Sequence, residues 1–346
     1  MHARFVPWLA LLAFSACTAA ANSGAYVAPQ DAATSQDAAT TPDTAAAADT
    51  AAVDVAAANI LAPGAIGGEL PDGAELDGAY TLSDDLVVPG GALVKIHAGT
   101  TISSPSFGIT VHGGLIVQGS KDKTVVVSGP ESGAAWAGIH VDGTLQASYL
   151  EVSQAVINIQ SDASGTLQLD HGWLHHGRDY NALSRGESTL TRMLIEQPRQ
   201  GAQMTYNLGI KGGTLTLEDS TLRNSPNECI LSEGQSNLNV HYNLLDTGHC
   251  GIHFNATASA DVQHNEMKGD QFGLMIFGLG AGKINGNNFS ESVQLEIYSG
   301  TGQNAAIDAT GNYFADKKHF ELGAAQIDTS GDLGAPATDV GPRPEK

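Results

Sequence analysis

The sequence predicts an all-β fold, a parallel β-solenoid of about ten coils, and three observations carry that prediction. A six-residue word returns at a nearly constant step. The segments between turns are β-branched and aliphatic runs of three to five residues, such as Leu86-Val-Val88, Ile109-Thr-Val111 and Val125-Val-Val127, too short for helices. The composition, with 41 Gly, 6% aromatic and 15% charged residues, suits a turn-rich repetitive chain better than a mixed α/β enzyme.

The word is an aliphatic residue, two variable residues, Asn, one variable residue and a large apolar one. It reads Val240-His-Tyr-Asn-Leu-Leu245, Val262-Gln-His-Asn-Glu-Met267 and Ile284-Asn-Gly-Asn-Asn-Phe289, with a looser copy ending Asn312-Tyr-Phe314. Asn243, Asn265, Asn287 and Asn312 are thus separated by 22, 22 and 25 residues. Earlier units keep the frame with another residue in the Asn place: Ser148 within Leu145–Leu150, Gly172 within Leu169–Leu174, Met193 within Leu190–Ile195 and Ser220 within Leu217–Leu222. Three short strands in a unit of this length fit one coil, stacked about 4.8 Å above the last. Leucine-rich repeats share the length but need a Leu and Asn spacing absent here, and a β-sandwich gives no reason for one word to recur at one period.

Stacking explains the residue choice. An Asn at an inward-turning bend can bond its own bend and the Asn amide of the next coil, each bond contributing about 1 kcal/mol. Two residues on, Leu245, Met267, Phe289 and Phe314 should form an interior apolar column. A second column is expected through Ile139, Ile157, Ile252, Leu274, Leu295 and Phe320, with a third two residues further along, from Val141 and Ile159 to Ile297 and Leu322.

Four segments follow. In residues 1–17, His2 and Arg4 precede the apolar run Phe5 to Phe14, which is too short to span a bilayer and reads as a signal peptide ending in Ser15, Ala16 and Cys17. Residues 18–60 are rich in Ala, Thr and Asp and have few large apolar side chains to offset ordering entropy, so a disordered tether is expected. Residues 61–322 form the solenoid, and 323–346 a polar tail with no assigned role. With 16 Lys and Arg against 37 Asp and Glu, the net charge of −21 repels phosphate backbones and excludes nucleic acid as a natural partner.

Two resemblances attach to these residues. Ser15-Ala-Cys17 resembles the lipobox of bacterial lipoproteins, which implies that Cys17 carries the lipid anchor and becomes the first residue of the mature chain. Thr18 after it, in place of Asp, resembles outer-membrane sorting. The repeat, together with Leu93-Val-Lys-Ile-His-Ala-Gly-Thr-Thr-Ile102, Gly114-Leu-Ile-Val-Gln-Gly-Ser120 and Trp136-Ala-Gly-Ile139, resembles the right-handed parallel β-helix (pectin-lyase-like) superfamily in an exported bacterial lipoprotein. That fold hosts lyases, hydrolases and adhesins, so function must be read from particular side chains.

With Cys17 lipidated, Cys229 and Cys250 remain, 21 residues apart and close to one coil. A disulfide is expected on neighbouring strands, worth about 3 kcal/mol. Two stacked free thiols stay open, because Cys229 aligns better with Gly251.

The outward turns after the apolar word carry the candidate surface site: His175, His176, Arg178, Glu196, Arg199, Arg223, Asp246 and His249. Arg or His beside carboxylates could abstract a proton from a uronate chain, with calcium held by the acids; solvated turns of any solenoid have the same composition. Of the four polygalacturonase-like words, only Asp84-Asp85 and Gly248-His-Cys250 come near a match, and no pair of acids can be set across one sugar. His241, His264 and His253 fall in different columns, so no metal site is expected. Among the aromatic residues, Trp136 is expected to be structural, whereas Trp173, Tyr180, Tyr206, Tyr242 and Tyr298 could stack on sugar rings where exposed. The expectation is a non-catalytic lipoprotein, anchored by lipid at the outer membrane and facing periplasm or surface, that binds polysaccharide or an envelope protein along the solenoid and needs no cofactor. The alternative is a polysaccharide lyase or glycoside hydrolase acting on acidic polysaccharide, with calcium called for only by the lyase. A purely structural envelope role is the third.

Overall fold

The computed structural model describes residues 59–132, 134–198, 204–316, 319–321 and 326–345. Cys17, the signal peptide, most of the tether and Arg199 lie outside the described residues.

From Tyr149 onward, most corners are made by single residues forced into the left-handed backbone region. In one coil, Asn237–His241, Leu244–Asp246 and Cys250–Asn255 are joined at Tyr242 (φ 57°) and Thr247 (φ 58°), and the chain leaves for the next coil through Ala256 (φ 59°). Such a conformation costs a non-glycine residue about 1–2 kcal/mol, so it persists only where the surroundings determine it. Every pairing between successive strands is parallel: a 13-stranded sheet forms one side, and a 22-stranded set wraps the others, turning its corner through the long strand Ala79–Val88. The architecture is a right-handed parallel β-helix, with strands and turns but no helix among the described residues.

What determines the first corner is a file of buried asparagines. The Asn243 amide donates to Asn265 Oδ1 at 3.0 Å, that of Asn265 to Asn287 Oδ1 at 2.9 Å, and that of Asn287 to Asn312 Oδ1 at 3.0 Å. The same oxygens accept the backbone N–H of Asn243, Asn265 and Asn287, and each amide also reaches a main-chain carbonyl of the preceding coil: Leu217, Val240 and Val262. All four residues are fully buried, so these bonds replace every lost contact with water. Beside the file, Leu222, Leu245, Met267, Phe289 and Phe314 stack in register, and the last two rings lie 5.0 Å apart.

The second apolar column differs from the expected one. It runs Ile109, Ile139, Ile159, Ala182, Leu208, Ile230, Ile252, Leu274 and Ile297. Ile157 and Leu295, assigned to it from sequence, stand two residues earlier, opposite Tyr180 and Phe272. Both are half-buried and the two residues after each turn inward together, so simple alternation does not mark the column at this corner. The early repeat word slips likewise: Leu169 pairs with Ala147 and Leu174 with Val152, which leaves Leu150, not Ser148, in the Asn place. Trp136 is fully buried and its indole donates to the Ser153 carbonyl at 2.8 Å.

Replacing Asn265 by Leu would leave the buried Asn243 N–H without its acceptor, take one of three acceptors from the Asn243 amide and remove the side-chain donor to the Val240 carbonyl. The variant should lose about 2–4 kcal/mol, read as a lower urea midpoint with β-rich circular dichroism retained before the transition.

Candidate metal centre

A second ladder leads to the site. Asn158 donates to Asn181 Oδ1 at 3.0 Å and Asn181 to Asn207 Oδ1 at 3.1 Å, each also holding a carbonyl at the second corner. One coil on, the place of the next asparagine is held by Cys229, opposite Asn207 in register, whose thiol turns to the Leu222 carbonyl at 3.7 Å. The polar ladder therefore stops where the neighbouring residues become ionisable.

Glu228 opens the strand Glu228–Glu233, and its register partner in the next coil is Cys250. Carboxylate, thiol and the imidazole of His253 converge, with ligand atoms all within 4.8 Å of one another. His253 Nδ1 is 3.3 Å from Glu228 Oε1, and His249 Nδ1 approaches the same oxygen at 3.5 Å. Glu228 Oε2 is buried without a partner although the residue is only 8% exposed. Phe272 lies against the edge of His249 at 5.4 Å and Phe277 beside His253 at 5.3 Å, while Met275 follows His253 in register. Asp270, fully buried, accepts the Gly248 N–H at 2.6 Å and so holds the turn that carries His249 and Cys250.

Burial alone would raise the Glu228 carboxyl, but hydrogen bonds from His249 and His253 outweigh it and bring its pKa down to about 2. The Cys250 thiol is pushed well up, by burial first and by the nearby acids Glu228 and Asp270. A thiolate is thus disfavoured unless a cation accompanies it. Thiolate, imidazole and carboxylate, with a second imidazole within reach, form a donor set for a soft or borderline transition metal and not for calcium or magnesium, which take oxygen ligands.

The expected Cys229–Cys250 bridge is not formed: both cysteines are free. The register gives the reason. Cys250 stands opposite Glu228, and Cys229 falls between the pairs Glu228–Cys250 and Ile230–Ile252, one residue out of step with Cys250. In a strand that offset directs the two side chains differently.

The candidate surface residues divide. His175, Glu196, Arg223 and Asp246 are successive register partners, followed by Lys268, so from Glu196 on one file alternates in charge along the axis. Arg223 Nε donates to Glu196 Oε2 at 2.6 Å, Trp173 Nε1 to Glu196 Oε1 at 3.2 Å, and the Nδ1 atoms of His175 and His176 lie 2.6 Å apart. Arg178 turns to Asp179, and His249 belongs to the Glu228 cluster. Asp170 and Glu218 flank Thr191 in register. Sequence reasoning missed the cluster because it searched columns of like residues. The signal was there, since Glu228 and Cys250 are 22 residues apart, one coil, with His253 three positions on.

Residues 186–318 match the family model described as periplasmic copper-binding protein (NosD), and that span contains every residue of the cluster. No curated protein and no solved structure matches the chain. The parallel architecture and this partial match agree on a right-handed parallel β-helix fold.

In the metal-free protein a carboxyl held near pKa 2, against 4.5 when unfolded, contributes fully above about pH 4.5 and progressively less as the pH falls toward 2. Unfolding free energies of the wild type and Glu228→Gln should therefore differ by up to about 3 kcal/mol near neutrality, and the gap should close across that acid window.

Proposed function

We propose that this chain is an exported β-helix protein that binds copper, as Cu(I), through Cys250 and His253, with Glu228 and His249 completing the site. The observation that carries the reading is the convergence of thiol, imidazole and a buried carboxylate with one oxygen unpartnered. The family matched over residues 186–318, described as copper-binding, supports the choice of copper. Thiolate and imidazole donors favour Cu(I) among biological metals, and Zn(II) is the competitor that the donor set also admits. Uptake of the cation requires Cys250 to give up its proton, which makes binding pH-dependent and the empty site neutral at sulfur. Cys17 would carry the lipid that keeps the site at the outer membrane.

The test is a titration of the full chain with Cu(I) against a chromophoric Cu(I) chelator, and separately with Zn(II). One equivalent should bind, Cys250→Ser should weaken it at least about 100-fold and His253→Ala about 10- to 100-fold. Unchanged affinity in Cys250→Ser refutes the reading, and preference for Zn(II) replaces the metal. In the producing cells the wild type should partition with membranes, and Cys17→Ser should be released as soluble protein.

A second reading rests on Trp173, which is 38% exposed and held flat by His175 at 4.0 Å and by Glu196. A fixed aromatic face flanked by charges suits binding of a carbohydrate or protein along the solenoid. Trp173→Ala should abolish any signal on a glycan array while leaving metal binding intact.

A further inference from the structure

After the last strand, Ile327–Asp328, the chain turns back and runs over the coils it has just completed. Its path is the ridge of left-handed residues at the first corner, where Asp219 (φ 50°), Tyr242 (φ 57°) and His264 (φ 57°) project outward one per coil. Asn288 clamps Ala337 with both halves of its amide, at 2.8 and 3.0 Å, and Gly341 N–H donates to the His264 carbonyl at 2.9 Å. The segment adds no strand to either sheet, so the backbone pairing that holds the coils does not hold the tail.

Its anchor is Arg343. Nε and Nη2 each donate to one oxygen of Asp219 at 2.7 Å, the main-chain N–H donates to Asp219 Oδ1 at 3.1 Å, and Nη2 reaches Glu218 Oε2 at 3.4 Å. The guanidinium carbon lies 4.0 Å from the centre of the Tyr242 ring, which is itself stacked on His264. The Asp219 carboxylate is only 10% exposed, whereas the arginine that fills the pocket is 45% exposed. A fork-shaped acceptor pair, an aromatic face and a second carboxylate form a binding site specific for a guanidinium, not a chance surface ion pair. Beyond the arginine, Glu345 Oε1 meets His171 Nε2 at 2.7 Å, and a cleft of about 500 Å³ opens among His171, Arg192, Asp219 and the tail residues Arg343 to Glu345. Pro342 and Pro344 bracket the arginine and keep the segment extended, which lowers the entropy lost on docking. The tail has the anatomy of a peptide ligand joined to its own receptor.

We propose that Asp219, Glu218 and Tyr242 form an arginine-recognition pocket on the first-corner ridge, that Arg343 is its resident occupant, and that an extended arginine-bearing segment of a partner protein docks there by displacing the tail. A net charge of −21 draws such a basic partner toward the surface. Tethering presents the resident arginine at an effective concentration on the order of millimolar, so the pocket is closed to weak competitors and open to a segment that makes further contacts along the ridge.

The experiment uses the full chain with a labelled synthetic peptide of residues 335–346 and a control peptide with alanine at the arginine. Arg343→Ala vacates the pocket. That chain should bind the native peptide about ten-fold or more tightly than the wild type does, and about ten-fold more tightly than it binds the control peptide. Adding Asp219→Asn should abolish the gain; Tyr242→Leu, which keeps an apolar wall without a ring face, should weaken binding about three-fold. Equal affinity for the two peptides, or no binding by Arg343→Ala with its circular dichroism unchanged, overturns the proposal.

Discussion

Everything in this molecule depends on satisfying the polar backbone that a tight inward corner buries. A corner made by one left-handed residue brings amides and carbonyls into the interior, where each unpaired group costs about 1–3 kcal/mol. The side-chain amide of asparagine has a donor and an acceptor facing opposite ways along the axis, so it can serve its own corner and the next coil at once. The repeat length follows: the asparagines face each other only if each coil returns to the same corner in phase. The apolar column beside them inherits that phase and supplies the burial energy that the ladder aligns.

Where the second ladder ends, the same geometry produces chemistry. Cys229 stands in an asparagine's place and is a poorer hydrogen-bonding group, while Glu228, Cys250 and the two histidines crowd the adjoining corner. Their proximity is a by-product of stacking: residues one coil apart in sequence become neighbours at strand spacing. Asp270 holds the turn from beneath, and the rings of Phe272 and Phe277 flank it, so the donors are positioned by rigid strands on three consecutive coils.

Much of the scaffold was legible from sequence because the features that define it recur. The Asn243 to Asn312 word and the Leu245 to Phe314 column repeat the same chemistry at the same step, and the structure stacks them. Register failed by two residues at Ile157 and Leu295, where the second and third residues of the strand both turn inward and simple alternation no longer marks the phase. The disulfide failed by a single residue, a difference that period counting cannot resolve. The Glu228 cluster was hidden because its members are chemically unlike and share no word. The docked tail was illegible because its receptor is a row of corner residues, Asp219, Tyr242 and His264, whose outward projection depends on backbone angles no pattern of hydropathy reports.

The file of His175, Glu196, Arg223, Asp246 and Lys268 and the ladders share a further property: each level contacts only the levels directly above and below. A whole unit could be duplicated or lost in most of the stack and the seams would close on chemically equivalent neighbours. The boundary between the coils of Glu228 and Cys250 is one exception, since a unit inserted there would part the carboxylate from the sulfur by a full storey, and the coils bridged by the docked tail from Asn288 back to Asp219 are another. The scaffold can therefore change in height, provided that these seams are left uncut.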